Sequence, residues 1–224
     1  MPVNTIAYRE IMHTLSATGA GLVAVSKLKS PADIMELYAL GQRDFGENYV
    51  QELLEKQAQL PADIRWHFIG HLQSNKVKYI IPSIQLIQGV DSFKLLREIN
   101  KQATKIGRVV DCLLQVHIAE EETKFGFDKK ELKETLEHPE LPSLQHIRIT
   151  GLMGMASFTE DMTKVRREFK QLKALFDEWS PITLPSGRIS ILSMGMSGDY
   201  RVALEEGSNL VRIGSLLFGK RTRA

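Results

Sequence analysis

Residues 22–41 read LVAVSKLKSPADIMELYALG, and this stretch holds one strand and one helix in direct succession. Leu22–Lys27 is a short apolar run typical of a buried strand. Ser30 follows as a helix N-cap, with a proline at the first helical position and Asp33 completing a capping box. Gly41 stands where the apolar helical pattern stops. The stretch therefore predicts a β-strand that leads directly into an α-helix.

The same order of strand and helix recurs along the chain. Further buried strands are predicted at residues 44–47, 66–70, 86–90, 109–118, 149–155, 189–195 and 210–218. Segments of helical period separate them, most clearly at 163–179 and 92–106, and one more helix is predicted at about 3–17. Eight such units predict an α/β fold, a single (β/α)8 TIM barrel spanning residues 1–224 as one domain, with an extra N-terminal helix. An open doubly wound sheet is the alternative, although no G-x-G-x-x-G follows the first strand.

Composition narrows the class of protein. With 224 residues and 43% hydrophobic content, the chain can bury one large core. Its 29 Lys and Arg against 27 Asp and Glu are scattered, which indicates neither a nucleic-acid surface nor a membrane-binding patch. The single cysteine, Cys112, cannot form an internal disulfide, and no leader-like or membrane-spanning run stands out. These features predict a soluble, cytoplasmic protein.

Two cationic residues stand near the ends of buried runs, Lys27 early in the chain and Arg212 late in it. The reactive groups of a TIM barrel lie at the carboxyl ends of its strands. If the barrel closes, the first and last strands are neighbours, so these two side chains converge on one pocket. A partly desolvated lysine amine can attack carbonyl carbons, whereas arginine only donates hydrogen bonds. A structural ion pair with a nearby carboxylate is the alternative for each residue.

Residues 193–199, SMGMSGD, run from a predicted strand into a predicted helix. Backbone N–H groups, flexible glycines and the Ser197 hydroxyl at this point could cradle an anion, and the turn at Gly214-Ser215 could add donors. Barrels commonly bind phosphate at these last two loops. An ordinary capped turn is the alternative. Asn48, after the second strand, is interpreted as a pocket residue or a helix cap, of which capping is the commoner.

Other motifs point to packing. His67 and His71 are four residues apart, but they span a strand and a loop, so no metal site is predicted. Four methionines lie on buried runs and are predicted to fill the core. They are Met153, Met155, Met194 and Met196.

Six segments together closely resemble one family, the pyridoxal 5′-phosphate (PLP) homeostasis proteins, also called the YggS family. The segments are AVSK at 24–27, FGENYVQE at 45–52, HFIGHLQSNK at 67–76, GLM at 151–153, SMGMS at 193–197 and VRIG at 211–214. They cover nearly the whole chain in order and at compatible spacing. The resemblance implies a barrel similar to the alanine racemase N-terminal domain, the type III fold of PLP proteins, with PLP as cofactor.

The resemblance also implies roles for individual residues. Lys27 is expected to hold PLP as a Schiff base, and Arg212 to face the pyridine nitrogen. The remaining expected cofactor-binding residues are Asn48 in the pocket and Ser197, Gly214 and Ser215 at the phosphate. Lys29 resembles a second lysine that influences cofactor exchange. The contact of the 154–157 loop with the cofactor ring stays unassigned. No residue is given a catalytic role, and no metal is expected.

Two principal functions follow from this interpretation. The first is a monomeric PLP holder that limits free aldehyde and delivers PLP to apo-enzymes. The second is a PLP-dependent amino-acid racemase, which needs an acid or base on both faces of the substrate. Lys27 supplies only one of these, and the second domain that provides the opposing tyrosine in alanine racemases is not expected here. The first function is therefore favoured, and an aldolase that uses Lys27 without a cofactor is a more distant third.

Overall fold

The computed structural model describes residues 3–119, 125–184 and 187–219, and eight parallel strands within them close into a barrel. The described residues form ten strands, of which eight belong to the barrel. In chain order the ten are β1 (Gly21–Val25), β2 (Asp44–Glu47), β3 (Arg65–Phe68), β4 (Leu86–Val90), β5 (Val110–Val116), β6 (Ile147–Gly154), β7 (Thr183–Leu184), β8 (Gly187–Arg188), β9 (Ile191–Ser193) and β10 (Leu210–Ile213). The short strands β7 and β8 pair antiparallel outside the barrel. The last barrel strand, β10, pairs with β1, which confirms the TIM barrel and excludes the open sheet.

Helices follow each of the eight barrel strands. They are α2 (Pro31–Ala39), α3 (Val50–Gln57), α4 (Val77–Ile80), α5 (Phe93–Thr104), α6 (Lys129–Leu136), α7 (Met162–Trp179), α8 (Tyr200–Glu205) and α9 (Ser215–Phe218), and α1 (Thr5–Thr18) precedes β1 as predicted. The capping box of α2 is present, with the Asp33 amide 3.2 Å from Ser30 Oγ. Within the described ranges no helix is both long and apolar enough to cross a bilayer.

The strand predicted at 210–218 is wrong in its second half. The strand β10 ends at Ile213, and the four residues of α9 follow after Gly214. Leu217 and Phe218 are buried in α9, so the apolar run continues although the backbone changes conformation. A short apolar run cannot distinguish a buried helix from a buried strand by its period.

Two apolar clusters hold the barrel together. The larger one lies between the strands and the surrounding helices, where it includes Phe45, Phe68 and Phe169. The smaller one is built around Leu86, Leu113 and Met153. Because side chains alternate along a strand, the residues of this smaller cluster face the inside of the barrel. Polar side chains, among them Gln88, Ser193 and Arg212, also lie in the interior and are joined by hydrogen bonds.

Candidate functional site

A cavity of about 360 Å³ opens at the carboxyl ends of the strands, within the size range of small-molecule sites. All of the predicted site residues line it, and so does Lys29. The lining residues are Val25, Lys27, Lys29, Asn48, Ile69, Met155, Ser157, Phe158, Thr159, Met162, Met196, Ser197, Gly198, Asp199, Arg212, Gly214, Ser215 and Gly219. The structure thus brings together residues from both ends of the chain, as barrel closure predicts.

Lys27 is half-buried at the mouth of this cavity. The prediction that the first strand continues to Lys27 is wrong, because β1 ends at Val25. Lys27 instead lies in a short loop whose start is tied to the second strand by the Ser26 amide, 3.0 Å from Gly46 O. The loop then turns through Leu28, whose φ of 60° lies in the left-handed region that few residues other than glycine adopt.

Arg212 lies inside the barrel wall, on the third residue of β10 and not at its end as the sequence suggested. Its side chain is 3% exposed. Nη1 donates to Ser193 Oγ at 2.5 Å, and Nη2 donates to Gly154 O at 2.8 Å. Burial lowers the pKa of Arg212 to about 10, against the opposing effect of the Asp199 carboxylate. The guanidinium therefore keeps its proton at neutral pH.

A chain of hydrogen bonds leads from Arg212 across the barrel interior. Ser193 Oγ donates to Gln88 Oε1 at 2.7 Å, and Gln88 Nε2 lies 3.0 Å from His67 Nδ1. His67 Nε2 in turn lies 3.1 Å from Asp44 Oδ1. Since the guanidinium can only donate, each following group accepts on one side and donates on the other. The network thereby assigns the His67 proton to Nε2, with Asp44 as the final acceptor.

Asp44, the last acceptor of this hydrogen-bond chain, makes the stability of the fold sensitive to acid. Burial raises the pKa of Asp44, but hydrogen bonds from Arg65 and His67 outweigh burial and lower the pKa to about 2. The ionised carboxylate therefore stabilises the fold at neutral pH, and this contribution is lost as the pH falls from about 4 towards 2. We expect Asp44→Asn to lower the free energy of unfolding at pH 7 by about 2 kcal/mol in urea titrations. The variant should also lose less stability than the wild type between pH 4 and pH 2.

The control for this prediction is Asp63→Asn, because the Asp63 side chain is 57% exposed and pairs with Arg43 at the surface. Surface ion pairs contribute little, so the acid unfolding profile of this control should stay close to that of the wild type. An Asp44→Asn profile that overlays the wild-type profile at every pH would contradict the assigned role of Asp44.

Hydrogen-bond donors converge on Ser197. The amides of Gly214 and Leu216 lie 3.3 and 3.5 Å from Ser197 Oγ. A Cβ atom at Gly214 would come within 3.2 Å of Val25 O, so a larger residue would press on the wall beside β1. The neighbouring Asp199 carboxylate accepts from the Met196 amide at 2.5 Å. This arrangement gathers one hydroxyl and two backbone amides, which here donate to that hydroxyl oxygen, beside the cavity.

Asn48 lies one residue beyond β2, on the wall of the cavity. Among the described residues, Asn48 Oδ1 is buried and has no hydrogen-bond partner. The capping interpretation is wrong here, because α3 has Tyr49 as its N-cap and no side-chain cap hydrogen bond. Asn48 Oδ1 is therefore a buried acceptor without a partner among the described residues, on a residue of the cavity wall.

Gly70 sets the position of the Asn48 backbone. A Cβ atom at Gly70 would lie 2.4 Å from Asn48 O and 2.9 Å from Asn48 Cα. Overpacking of this kind typically costs 1–3 kcal/mol, so we expect Gly70→Ala to lower the free energy of unfolding by about 2 kcal/mol and to weaken ligand binding by displacing Asn48. Chemical unfolding and ligand titration measure the two effects.

Gly198→Ala is the matched control for Gly70→Ala. A Cβ atom at Gly198 would meet no described atom within 4 Å, and its backbone shows no positive φ. Its free energy of unfolding should therefore stay near the wild-type value. Equal stability of the two variants would show that the close approach at Gly70 has no consequence.

Two of the four methionines predicted to fill the core instead line the cavity. Met155 and Met196 face the site, whereas Met153 and Met194 are fully buried as predicted. The sequence interpretation also missed Phe158, which is 97% exposed at the rim. Its position follows from the preceding loop, which helix α7 holds from outside the barrel. The amide and hydroxyl of Ser157 in that loop both lie 2.7 Å from Glu168 side-chain oxygens.

The two histidines four residues apart, His67 and His71, face different partners. The His67 ring lies between Asp44 and Gln88 inside the barrel. The His71 ring lies 2.8 Å from Asp91 Oδ2 and stacks on Phe125 with a centroid distance of 4.0 Å. Across the described ranges, no group of three His, Cys, Asp or Glu side chains is arranged to hold a metal ion.

The barrel and its cavity define a class of protein. Residues 7–222 match the family model described as alanine racemase, N-terminal domain. The structure of alanine racemase from Bartonella henselae superposes with a TM-score of 0.74 at 19% identity, over 99% of this chain and 65% of that one. At this identity the likeness concerns the fold. The chain is thus a barrel of the alanine racemase N-terminal class.

More similar proteins narrow the class to one family. The pyridoxal phosphate homeostasis protein of Aquifex aeolicus is 44% identical over 207 residues, which cover 90% of this chain and 87% of that protein. PipY of Synechococcus elongatus, solved with PLP bound, has a TM-score of 0.83 at 37% identity, covering 96% of this chain and 100% of PipY. The chain belongs to the pyridoxal phosphate homeostasis protein family, which confirms the resemblance.

Proposed function

We propose that this chain holds PLP reversibly at Lys27 as a PLP homeostasis protein and does not itself catalyse a reaction. The observation that carries the proposal is the convergence of Lys27, Arg212 and the donors around Ser197 on one cavity. The names of the relatives support it, and so does the PLP bound to PipY.

The residues in the cavity fit the chemical groups of PLP. An amine suits the aldehyde, a hydroxyl with two backbone amides suits the phosphate, and a guanidinium suits the pyridine nitrogen. Arg212 uses two of its five N–H groups in the hydrogen bonds to Ser193 and Gly154. Asn48 Oδ1 supplies an acceptor that lacks a partner within the described part of the chain.

Attachment at Lys27 requires no other reactant. The neutral Lys27 amine attacks the aldehyde carbon, one C=N bond forms, and the aldehyde oxygen leaves as water with both amine hydrogens. Water reverses the same step, so the hold is reversible. When bound, PLP supplies an electrophilic carbon and an electron-accepting ring. Because Arg212 keeps its proton, the ring nitrogen stays largely unprotonated and the ring is a weak electron acceptor.

The ionisable groups around the cavity favour holding over racemisation. Of the described lining residues, Lys27, Lys29, Asp199 and Arg212 are ionisable. Lys29 Nζ donates to Phe218 O at 2.7 Å, and the Asp199 carboxylate accepts from the Met196 amide. These contacts engage the two residues that could otherwise serve as the second acid or base.

The proposed function is tested by adding PLP to the purified protein and then an L-amino acid. We expect an absorbance band from the C=N bond with PLP, and no loss of enantiomeric purity of L-alanine by chiral chromatography over many hours. Sustained conversion of L- to D-alanine would contradict the role of PLP holder and show that the protein is a racemase. If no band forms, attachment at a lysine is wrong.

Delivery of PLP to apo-enzymes is part of this proposal. Reversible attachment and a cavity open at the rim, beside Phe158, support release to an acceptor. An apo-enzyme that depends on PLP should regain activity when mixed with the loaded protein, faster than PLP released into solution can account for. Equal rates with an excess of a PLP-trapping amine absent and present would confirm direct transfer, and complete suppression by the trap would exclude it.

We also propose that the protein acts as a monomer in the cytoplasm. A single barrel already contains an amine, a guanidinium, a hydroxyl and backbone amides that suit the groups of PLP, which supports a site formed within one chain. Cys112 is buried, and burial raises the pKa of its thiol, which suits an inert packing role in a reducing compartment. Light scattering should give the mass of one chain, about 25.3 kDa, with and without PLP. A mass of two chains would contradict this part of the proposal.

A further inference from the structure

Three charged side chains lie behind the barrel wall and outside the cavity. They are Glu47 at the end of β2 and Glu52 and Lys56 on α3. The Lys56 side chain is only 5% exposed. Its Nζ lies 2.7 Å from each of three acceptors, Ser26 O, Glu47 Oε1 and Glu52 Oε1. The three protons of the ammonium therefore have three partners, an arrangement that a surface lysine would not need.

These contacts reach both neighbours of Lys27. Ser26 accepts from Lys56 through its carbonyl and donates through its hydroxyl to Glu47 Oε1 at 2.6 Å. On the other side, the Leu28 amide donates to Glu52 Oε1 at 2.5 Å. The ammonium of Lys56 thus joins the two carboxylates that fix residues 26 and 28.

Leu28 shows that this loop is held in a conformation that it would not adopt by itself. Its φ of 60° is disfavoured for a branched apolar residue, and its side chain is 64% exposed. Packing of the side chain therefore does not explain the backbone conformation. Such a conformation persists where the surroundings determine it. Two contacts determine it here: the Lys29 amide donates to Ser26 O at 3.0 Å and closes a turn over residues 26–29, and the Leu28 amide donates to the Glu52 carboxylate.

We propose that Lys56 is a positioning residue that, through Glu47 and Glu52, fixes the backbone on both sides of Lys27 and directs its amine into the cavity. This inference rests on the proposed attachment of PLP at Lys27. Without Lys56, two carboxylates face each other behind the wall, and each already has one buried oxygen without a hydrogen bond among the described residues. Glu52 then no longer has a counter-charge that holds it at the Leu28 amide.

The test compares Lys56→Met with Lys130→Met, since Met keeps an unbranched apolar side chain without the ammonium and Lys130 is exposed. The rate of C=N formation with PLP is followed by absorbance after rapid mixing. Pyridoxine 5′-phosphate, which has no aldehyde, separately reports binding to the cavity. We expect Lys56→Met to form the band at least tenfold more slowly than the wild type, while its affinity for pyridoxine 5′-phosphate stays within threefold of the wild-type value. Lys130→Met should match the wild type in both the rate and the affinity.

An unchanged rate of C=N formation in Lys56→Met would overturn the proposal. So would a parallel loss of affinity for pyridoxine 5′-phosphate, which would indicate a general structural role. If Lys56→Met does not fold, Glu52→Gln takes its place. We expect this variant to form the C=N bond at least threefold more slowly than the wild type. An unchanged rate would again overturn the proposal. Restoration of the rate by Leu28→Asn in either variant is expected, because Asn tolerates the left-handed conformation. Absence of the band in the wild type would instead refute attachment at Lys27.

Discussion

Lys27→Ala is expected to abolish the absorbance band that the wild type forms with PLP. Barrel closure brings Lys27 to the same cavity as Arg212. Without the amine no C=N bond can form, and the remaining contacts hold PLP non-covalently. We expect the apparent affinity for PLP to fall at least tenfold, about 1.4 kcal/mol. Titration followed by absorbance and by equilibrium dialysis separates the covalent contribution from the total.

Two lysine variants provide controls for Lys27→Ala. Lys101→Ala removes an exposed amine on α5 and should leave both the band and the affinity unchanged. Lys29→Ala removes the hydrogen bond to Phe218 O, and we expect it to keep the band while PLP exchanges faster. A full band in Lys27→Ala that survives borohydride reduction would show that another lysine is the attachment point.

Arg212→Glu is expected to have the largest combined effect on stability and PLP retention. The substitution places a carboxylate at a site that is 3% exposed, next to two acceptors, Ser193 Oγ and Gly154 O. An uncompensated buried charge costs about 3–5 kcal/mol. For a chain of this size the melting temperature should fall by about 10 °C. PLP retention should be lost, since the guanidinium that faces the cavity is gone.

Arg212→Met separates these two effects. It removes the guanidinium without adding a negative charge. It also removes the cost of burying a charge, which is the cost that lowers the pKa of Arg212 to about 10. Gly154 O loses its donor, so the two changes in part cancel and the free energy of unfolding should change by less than about 2 kcal/mol. PLP retention should nevertheless fall clearly in equilibrium dialysis. Unchanged retention in Arg212→Met would refute the ring-facing role of Arg212.

Much of the fold follows from local patterns in the sequence. The alternation of buried runs with capped helices predicts the eight barrel strands, and closure of the barrel predicts that Lys27 and Arg212 converge on one pocket from adjacent strands. The pairing of β1 with β10 confirms that the two strands are adjacent, with Arg212 level with Val23, and the side chains of Lys27 and Arg212 line the same cavity. The prediction succeeds because both residues lie at or just beyond barrel strands, whose carboxyl ends share one face of the fold.

Local sequence patterns do not predict the polar network inside the barrel. Ser193 and Gln88 are 105 positions apart, and their hydrogen bond depends on which residues of β9 and β4 face inward. Lys56 shows the same limit, since within the helical stretch VQELLEKQ it has the spacing of an ordinary exposed lysine. Only the packing of α3 against the end of β2 places it on buried Glu47.

The most direct test of attachment at Lys27 is to trap the bond and locate it. The wild-type protein mixed with PLP is reduced with borohydride, digested and analysed by mass spectrometry. The account predicts one modified peptide, with the phosphopyridoxyl group on Lys27 at close to one per chain. Modification of Lys29 or of another lysine in place of Lys27, or no stable modification, would contradict it.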